Sequence, residues 1–182
     1  MAKKLVSIKD YIKTYPNWPV DGVDFKDTSS LCNSDGIRLA HNFLYNSLLK
    51  YKSKIDRIVA VDARGFIFGG VLAHRLNKPL VLARKEGKLP GATHKQKFKL
   101  EYGSATLELQ ADSIHDEENV IIVDDLLATG GTALSVINIV QREWNANVLA
   151  FACIVNLPDV GGSALIDKAG IPVISAVEYK GT

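Results

Sequence analysis

The stretch Val120-Ile121-Ile122-Val123-Asp124-Asp125-Leu126-Leu127-Ala128-Thr129-Gly130-Gly131-Thr132 decides how the rest of the chain is read. Its four leading apolar residues have no polar alternation, the pattern of a strand buried on both faces inside a parallel sheet. The small residues Ala128, Thr129, Gly130, Gly131 and Thr132 then make a turn, and Ala133, Val136, Ile137, Val140 and Trp144 recur at the spacing of one helix face. A strand that passes through a tight turn into a helix aims converging backbone N–H groups and the positive helix end at one point, where a phosphate is well held. Asp124 and Asp125, just before that point, would repel a phosphate, so they must face something else: ribose hydroxyls or Mg²⁺. Each charge-assisted bond from a diol to a carboxylate contributes roughly 1.5–3 kcal/mol, enough to orient a sugar whose phosphate is already fixed. The segment describes a ribose 5-phosphate site.

Outward from it, residues 55–61, 79–83 and 148–155 form three more short apolar runs, and residues 65–76 and 132–144 read as helices between strands. This alternation predicts an α/β fold, a central mostly parallel sheet flanked by helices, with ligands at the carboxyl ends of the strands. Ile37, Ala40, Leu44, Leu48 and Tyr51 mark an earlier helix, capped by Asn33 or Ser34 and ending in the lysine run at 50–54. Residues 98–110 alternate as strands do, with Glu101-Tyr102-Gly103-Ser104 as a break, and predict an antiparallel excursion. No repeat or linker divides the 182 residues, so a single domain over 1–182 is expected.

Composition sets the outer limits. With 47% hydrophobic and 23% charged residues the chain is neither disordered nor fibrous, and a net charge of +2 argues against nucleic acid or an anionic membrane as the main partner. The longest uncharged stretch, residues 126–141, falls short of the ~18 residues of a spanning helix. The lysines near the N-terminus precede no apolar run of secretory type, so a cytoplasmic location is expected, with Cys32 and Cys153 reduced. Neither G-x-x-x-x-G-K-[ST] nor G-x-G-x-x-G occurs, which disfavours nucleotide hydrolases and dinucleotide folds.

An apolar strand, two acids and a Thr-Gly-Gly-Thr loop resemble the fingerprint of the type I phosphoribosyltransferases, which grips the 5-phosphate of phosphoribosyl pyrophosphate. The resemblance continues through Ala63-Arg64-Gly65-Phe66, Arg84-Lys85-Glu86-Gly87-Lys88-Leu89-Pro90-Gly91 and Leu100-Glu101-Tyr102-Gly103, and is strongest to members of that family that use adenine. It implies that fold, with a small hood over residues 1–35 for the base and a flexible lid and flap over 85–110. It also implies transfer of the phosphoribosyl group to adenine, with AMP and pyrophosphate as products, in a homodimer.

By the same resemblance, Asp124 and Asp125 hold the ribose, and Ala128, Thr129, Gly130, Gly131 and Thr132 hold its phosphate. Ala63, Arg64, Arg84, Lys85 and Lys88 face pyrophosphate, and the turn at residues 61–65 is one where the family often has a non-proline cis peptide near Ala63. Arg64, Lys88 and Glu101 are the implied catalytic residues, with Glu101 moving a proton or holding the closed lid beside Tyr102. Phe25 is the platform for the base, flanked by Asp24 and Lys26. Mg²⁺ is held mainly through substrate oxygens and water, with Asp124 or Asp125 on the protein side. The sequence departs from the family at Val20-Asp21-Gly22, at Lys26 and at Thr28-Ser29-Ser30, where Pro-Gly, Arg and Ile-Thr-Pro are usual. Those departures keep open a different purine as substrate, and a third reading is a non-catalytic sensor of phosphoribosyl pyrophosphate. Too few residues precede the match for the winged helix such a regulator needs.

Overall fold

The computed structural model describes residues 7–99 and 104–180. Glu101 and Tyr102 lie outside the described residues. A short 3₁₀ turn (Ile8–Tyr11) leads into an antiparallel pair, β1 (Lys13–Tyr15) and β2 (Phe25–Asp27), which forms a small separate sheet. Helices α1 (Ser29–Cys32) and α2 (Gly36–Leu48) follow, then β3 (Arg57–Val61), α3 (Gly65–Leu76) and β4 (Leu80–Lys85). A hairpin of β5 (Thr93–Lys99) and β6 (Ser104–Gln110) precedes β7 (Asn119–Val123), the two-residue β8 (Leu126–Leu127) and α4 (Gly131–Trp144). The chain closes with β9 (Asn147–Asn156), α5 (Gly162–Lys168) and β10 (Val173–Glu178).

The main sheet runs β10-β9-β7-β3-β4-β6-β5, with β8 added alongside β9. The five strands from β10 to β4 pair in parallel, and β6 and β5 extend them antiparallel. This is the expected α/β architecture, a mostly parallel sheet between helices. Its strands are apolar throughout because both faces are covered: Val59, Val61, Val120 and Ile122 pack on one side, and Ile58, Ile121, Val123 and Ala150 on the other. All five residues of the expected helix face on α4 are buried. Among the described residues no helix is long and apolar enough to cross a membrane.

Several boundaries differ from expectation. Helix α2 starts at Gly36 with Asp35 at its N-cap, not Asn33 or Ser34. The Ser34 hydroxyl donates back to the carbonyls of Ser30 and Leu31 at the end of α1, while its oxygen accepts the N–H of Gly36, the first residue of α2, at 3.3 Å. Strand β3 starts two residues late, because the N–H of Ile55 still closes a turn onto the carbonyl of Tyr51. The antiparallel excursion starts at Thr93 rather than 98, so His94, Lys95 and Lys97 lie on an edge strand paired to β6. Lysines along an exposed edge discourage pairing with another chain, which is why a strand here reads like a solvated loop. Strand β10, in the apolar run Val173-Ile174-Ser175-Ala176-Val177, and the short hood pair β1–β2 are additions to the elements expected from sequence. Cys32 and Cys153 are both free, Cys153 deep in the core.

Candidate active site

The carboxyl ends of β3, β7 and β9 meet where the rule for open α/β sheets places ligands. Leaving β7, the chain stays tied to β9: the N–H of Asp124 donates to the carbonyl of Ala152 at 3.0 Å, and the carbonyl of Asp125 accepts from Ile154 and Val155. β8 then pairs once more with β9, which fixes both acids before the loop begins. Gly130 sits at φ +81°, a left-handed conformation at the N-cap of α4 that side chains rarely adopt. The loop encloses a cavity of about 160 Å³, lined by Asp124, Leu126, Leu127, Ala128, Thr129, Gly130, Gly131, Thr132, Ala133 and Phe151. The first amides of a helix have no intrahelical partner, so those of α4 open into this cavity with the positive helix end behind them.

Support for the loop comes from a residue sequence reasoning passed over. Gly162 opens α5, and its N–H donates to the carbonyl of Ala128 at 2.9 Å. A Cβ at Gly162 would stand 2.3 Å from that oxygen and 2.6 Å from the nitrogen of Gly130. The adjacent Gly161-Gly162 pair was the visible signal.

The two acids are buried but differently held. Asp125 Oδ2 accepts from the hydroxyl of Thr28 at 2.5 Å and from Nε of Arg64 at 2.5 Å. Asp124 Oδ1 accepts the N–H of Asp125 at 2.8 Å. Gly65 permits this crowding, since a Cβ there would lie 2.8 Å from the carbonyl of Val123 and 3.1 Å from Asp124 Oδ1. Burial first, and the charge of Asp125 second, push the Asp124 carboxyl well above its ordinary pKa. Burial works against the charge of Arg64, but Asp125, Asp124 and Asp27 outweigh it and raise its pKa. Thr28 is one of the family departures, and its hydroxyl now has a partner 97 residues away.

The Asp62–Ala63 peptide is cis, in the turn where the family pattern leads one to look for it. Asp62 accepts from Nε of Arg84 at 3.1 Å, and the guanidinium of Arg84 reaches the carbonyl of Lys88 at 3.4 Å. Lys85 and Lys88 are exposed, free to meet an anion from solution. On the hood, Phe25 packs edge-on against Trp18 with ring centroids 4.4 Å apart, and with Tyr15 these rings line a cavity of about 200 Å³. Strand alternation sends Lys26 the other way: its side chain is buried, 3.7 Å from Asp24 and 4.8 Å from the ring centre of Tyr179. Phe25 and Lys26 therefore serve different faces of β2. Tyr15, Trp18 and Thr28 were missed because they gain meaning only once the hood is folded over the sheet.

Among the described residues no group of three or more His, Cys, Asp or Glu side chains could hold a metal. Two carboxylates, Asp124 and Asp125, converge at the cleft, and Mg²⁺ needs about six oxygens. Such a donor set fits an ion that arrives with substrate oxygens and keeps its waters, and does not fit a resident, protein-caged one.

Comparison with known proteins extends the likeness beyond the cleft. The phosphoribosyl transferase domain family matches residues 33–169. The adenine phosphoribosyltransferase of Jannaschia sp. is 44% identical over 176 residues, 96% of this chain and 97% of that protein. Crystal structures of adenine phosphoribosyltransferases resemble the fold closely. That from Thermoanaerobacter pseudethanolicus has a TM-score of 0.87 at 35% identity, covering 94% of this chain and 98% of the other. That from Saccharomyces cerevisiae, complexed with an imino-altritol bisphosphate and adenine, has 0.85 at 35%, covering 93% and 96%. Because the likeness takes in the phosphate cradle, the sheet and the hood together, the chain belongs to the phosphoribosyltransferase family, among its adenine phosphoribosyltransferases.

Proposed function

We propose that this protein transfers the phosphoribosyl group of phosphoribosyl pyrophosphate to adenine, giving AMP and pyrophosphate. The observation that carries the reading is the juxtaposition of the Asp124–Asp125 pair with the cavity at the N-terminus of α4. One end of this cleft suits a phosphate and the other a diol, at a separation set by one turn of chain.

In this reading the amides of residues 128–132 anchor the 5-phosphate, and Asp124 and Asp125 accept from the ribose hydroxyls. The base nitrogen attacks the anomeric carbon as the bond to pyrophosphate breaks, the electron pair leaving with the pyrophosphate and the base losing its N–H proton. The sugar passes through a state resembling an oxocarbenium ion, so positioning and charge stabilisation carry the rate. Arg64, Arg84, Lys85 and Lys88, with the turn at Ala63, receive the departing pyrophosphate. Arg64 can do so while bonded to Asp125, since its guanidinium has further donors and is 41% exposed. Phe25 gives the base a stacking face, walled by Trp18 and Tyr15. Asp24 and Lys26 act through their backbone, given where the Lys26 side chain lies. Glu101 handles the base proton or holds the lid with Tyr102, and excluding water there protects the sugar cation from hydrolysis. Bound Mg²⁺ supplies charge that stabilises the leaving pyrophosphate, with Asp124 or Asp125 on its protein side.

The reading also takes the protein as a single-domain cytoplasmic homodimer, with residues 1–35 as hood and 85–110 as lid and flap. The family likeness of the 84–91 segment supports the dimer and the lid. Sedimentation of a fully active monomer would exclude the dimer. The deciding experiment mixes the protein with phosphoribosyl pyrophosphate, Mg²⁺ and a panel of purines and identifies the nucleotide formed. AMP is expected; a different nucleotide, or none, refutes the assignment.

A further inference from the structure

Glu108 is the least exposed carboxylate among the described residues, 1% exposed on β6 beneath the turn at 86–92, on the strand face opposite the core residues Leu107 and Leu109. It lies behind a loop of cations, where a negative charge would repel an arriving polyanion. A buried charge persists only where hydrogen bonds to the ionised form are many and well made. Oε1 accepts the N–H of Lys88 at 2.9 Å and that of Leu89 at 3.0 Å. Oε2 accepts the hydroxyl of Thr93 at 3.2 Å, with Nζ of Lys95 at 3.8 Å. Burial opposes ionisation, but these N–H groups, the hydroxyl and Lys95 outweigh it and hold the pKa below the ordinary value.

The geometry has a directional consequence. The backbone donors of residues 88 and 89 point inward at Glu108, so they cannot cradle an anion in the cleft. What the turn offers outward is the exposed side chain of Lys88. The Lys88 residue is gripped at both backbone ends: its N–H by Glu108, its carbonyl by Arg84, which itself holds Asp62 beside the cis turn.

We propose that Glu108 is a positioning residue: it fixes the turn at 86–92 so that Lys88 is presented to pyrophosphate, without itself touching substrate. This rests on the reading of Lys88 given above. The test is steady-state kinetics, forward and with pyrophosphate in reverse, on Glu108→Ala, Glu108→Asp, Glu108→Gln, Lys88→Ala and the Glu108→Ala/Lys88→Ala double variant, each checked by circular dichroism and thermal melting. Glu108→Ala should lower kcat/KM for phosphoribosyl pyrophosphate about tenfold or more while KM for adenine stays unchanged, as for a misplaced contact group. Glu108→Asp keeps the charge but withdraws the oxygens, and should show the same selective loss; it reads the role if Glu108→Ala does not fold. Glu108→Gln keeps an acceptor for both amides and should recover to within about threefold of the parent. Residues acting as a unit are not additive, so the double variant should be no worse than Lys88→Ala alone.

A folded Glu108→Ala or Glu108→Asp with parental kinetics, equal losses toward both substrates, or full additivity with Lys88→Ala overturns the assignment. A silent Lys88→Ala overturns the pyrophosphate role of Lys88 and this inference with it. An impaired Lys88→Ala beside unaffected Glu108 variants overturns this inference alone.

Discussion

Replacing Gly162 by alanine tests whether the phosphate cradle is held in place from behind. The added Cβ would stand 2.3 Å from the carbonyl oxygen of Ala128, 2.6 Å from the nitrogen of Gly130 and 2.9 Å from the carbonyl carbon of Thr129. All three are backbone atoms of the loop, so no flexible side chain can swing away. Ordinary contact begins near 3.4 Å, which leaves a shortfall of 1.1 Å at Ala128 (3.4 less 2.3) and 0.8 Å at Gly130 (3.4 less 2.6). Either the loop moves by about that much or α5 is pushed off it, and overpacking of this kind costs about 1–3 kcal/mol. A displacement near 1 Å at a substrate-positioning group costs about 10²-fold in rate. Gly162→Ala should therefore lower kcat/KM for phosphoribosyl pyrophosphate about 10²-fold, a larger effect than its loss of stability alone would give to a protein still folded at the assay temperature.

Gly70→Ala provides the matched control. It lies within α3, a Cβ there meets nothing within 4 Å, and alanine in a helix is favoured over glycine by about 0.5–1 kcal/mol. It should raise the melting temperature and leave turnover unchanged. Kinetics and thermal melts on both variants decide the matter. A Gly162→Ala protein with parental kcat/KM would refute the claim that α5 buttresses the loop, and a Gly70→Ala protein as impaired as Gly162→Ala would show that the effect is not local.

Other consequences follow from the same geometry. Asp124, with its pKa raised by burial and by Asp125, must lose a proton to accept from a diol, so kcat/KM for phosphoribosyl pyrophosphate should fall as pH drops through that raised value. Asp124→Asn should lose this acid limb along with most activity, and an unchanged limb in the variant would assign it elsewhere. Glu108 has the opposite sign: its lowered pKa contributes stability that is present above the unfolded value of about 4.3 and lost as pH falls through the folded one. Denaturant titrations of Glu108→Gln should lose less stability over that acid window than the parent protein does. Phe25→Ala removes a stacking face that contributes about 1–3 kcal/mol per base, so KM for adenine should rise at least about fivefold with little change for the sugar substrate. Leu44→Ala, at a position with 0% exposure, should cost about 2–5 kcal/mol in a denaturant melt without altering KM for either substrate.

The strand, turn and helix from Asn119 to Trp144 could be read from sequence because each part announces itself locally: an apolar run, small residues, then a helical face. The parts that could not be read are those whose partners are distant. Thr28 looks like a departure from a family pattern until its hydroxyl is found on Asp125. Gly162 looks like one of two glycines in a turn until its α-carbon is found against the cradle. Thr93 to Phe98 reads as solvated because a sheet edge and a loop share the same lysines, and hydrogen bonding to β6, not composition, makes the difference. Lys26 shows the same limit at one residue's distance. The family resemblance placed it beside the base, but the period of two that turns Phe25 toward the aromatic cavity turns Lys26 inward against Tyr179.

Arg64 brings these two kinds of information together. Sequence position placed it at a strand-end turn, where a guanidinium suits pyrophosphate, and could not show that Nε is already bonded to Asp125. The two facts are compatible because arginine has five donors in a fixed plane. A donor used on Asp125 orients that plane, leaving the remaining nitrogens aimed and solvent-accessible. A lysine here would have a single nitrogen to divide between the acid and the anion, so Arg64→Lys should retain the charge and still lose activity. Its kcat/KM should fall at least about tenfold, as at other sites where the fork geometry matters more than the charge. Parental kinetics in that variant would mean that Asp125 holds Arg64 for stability only, and that the pyrophosphate is met elsewhere.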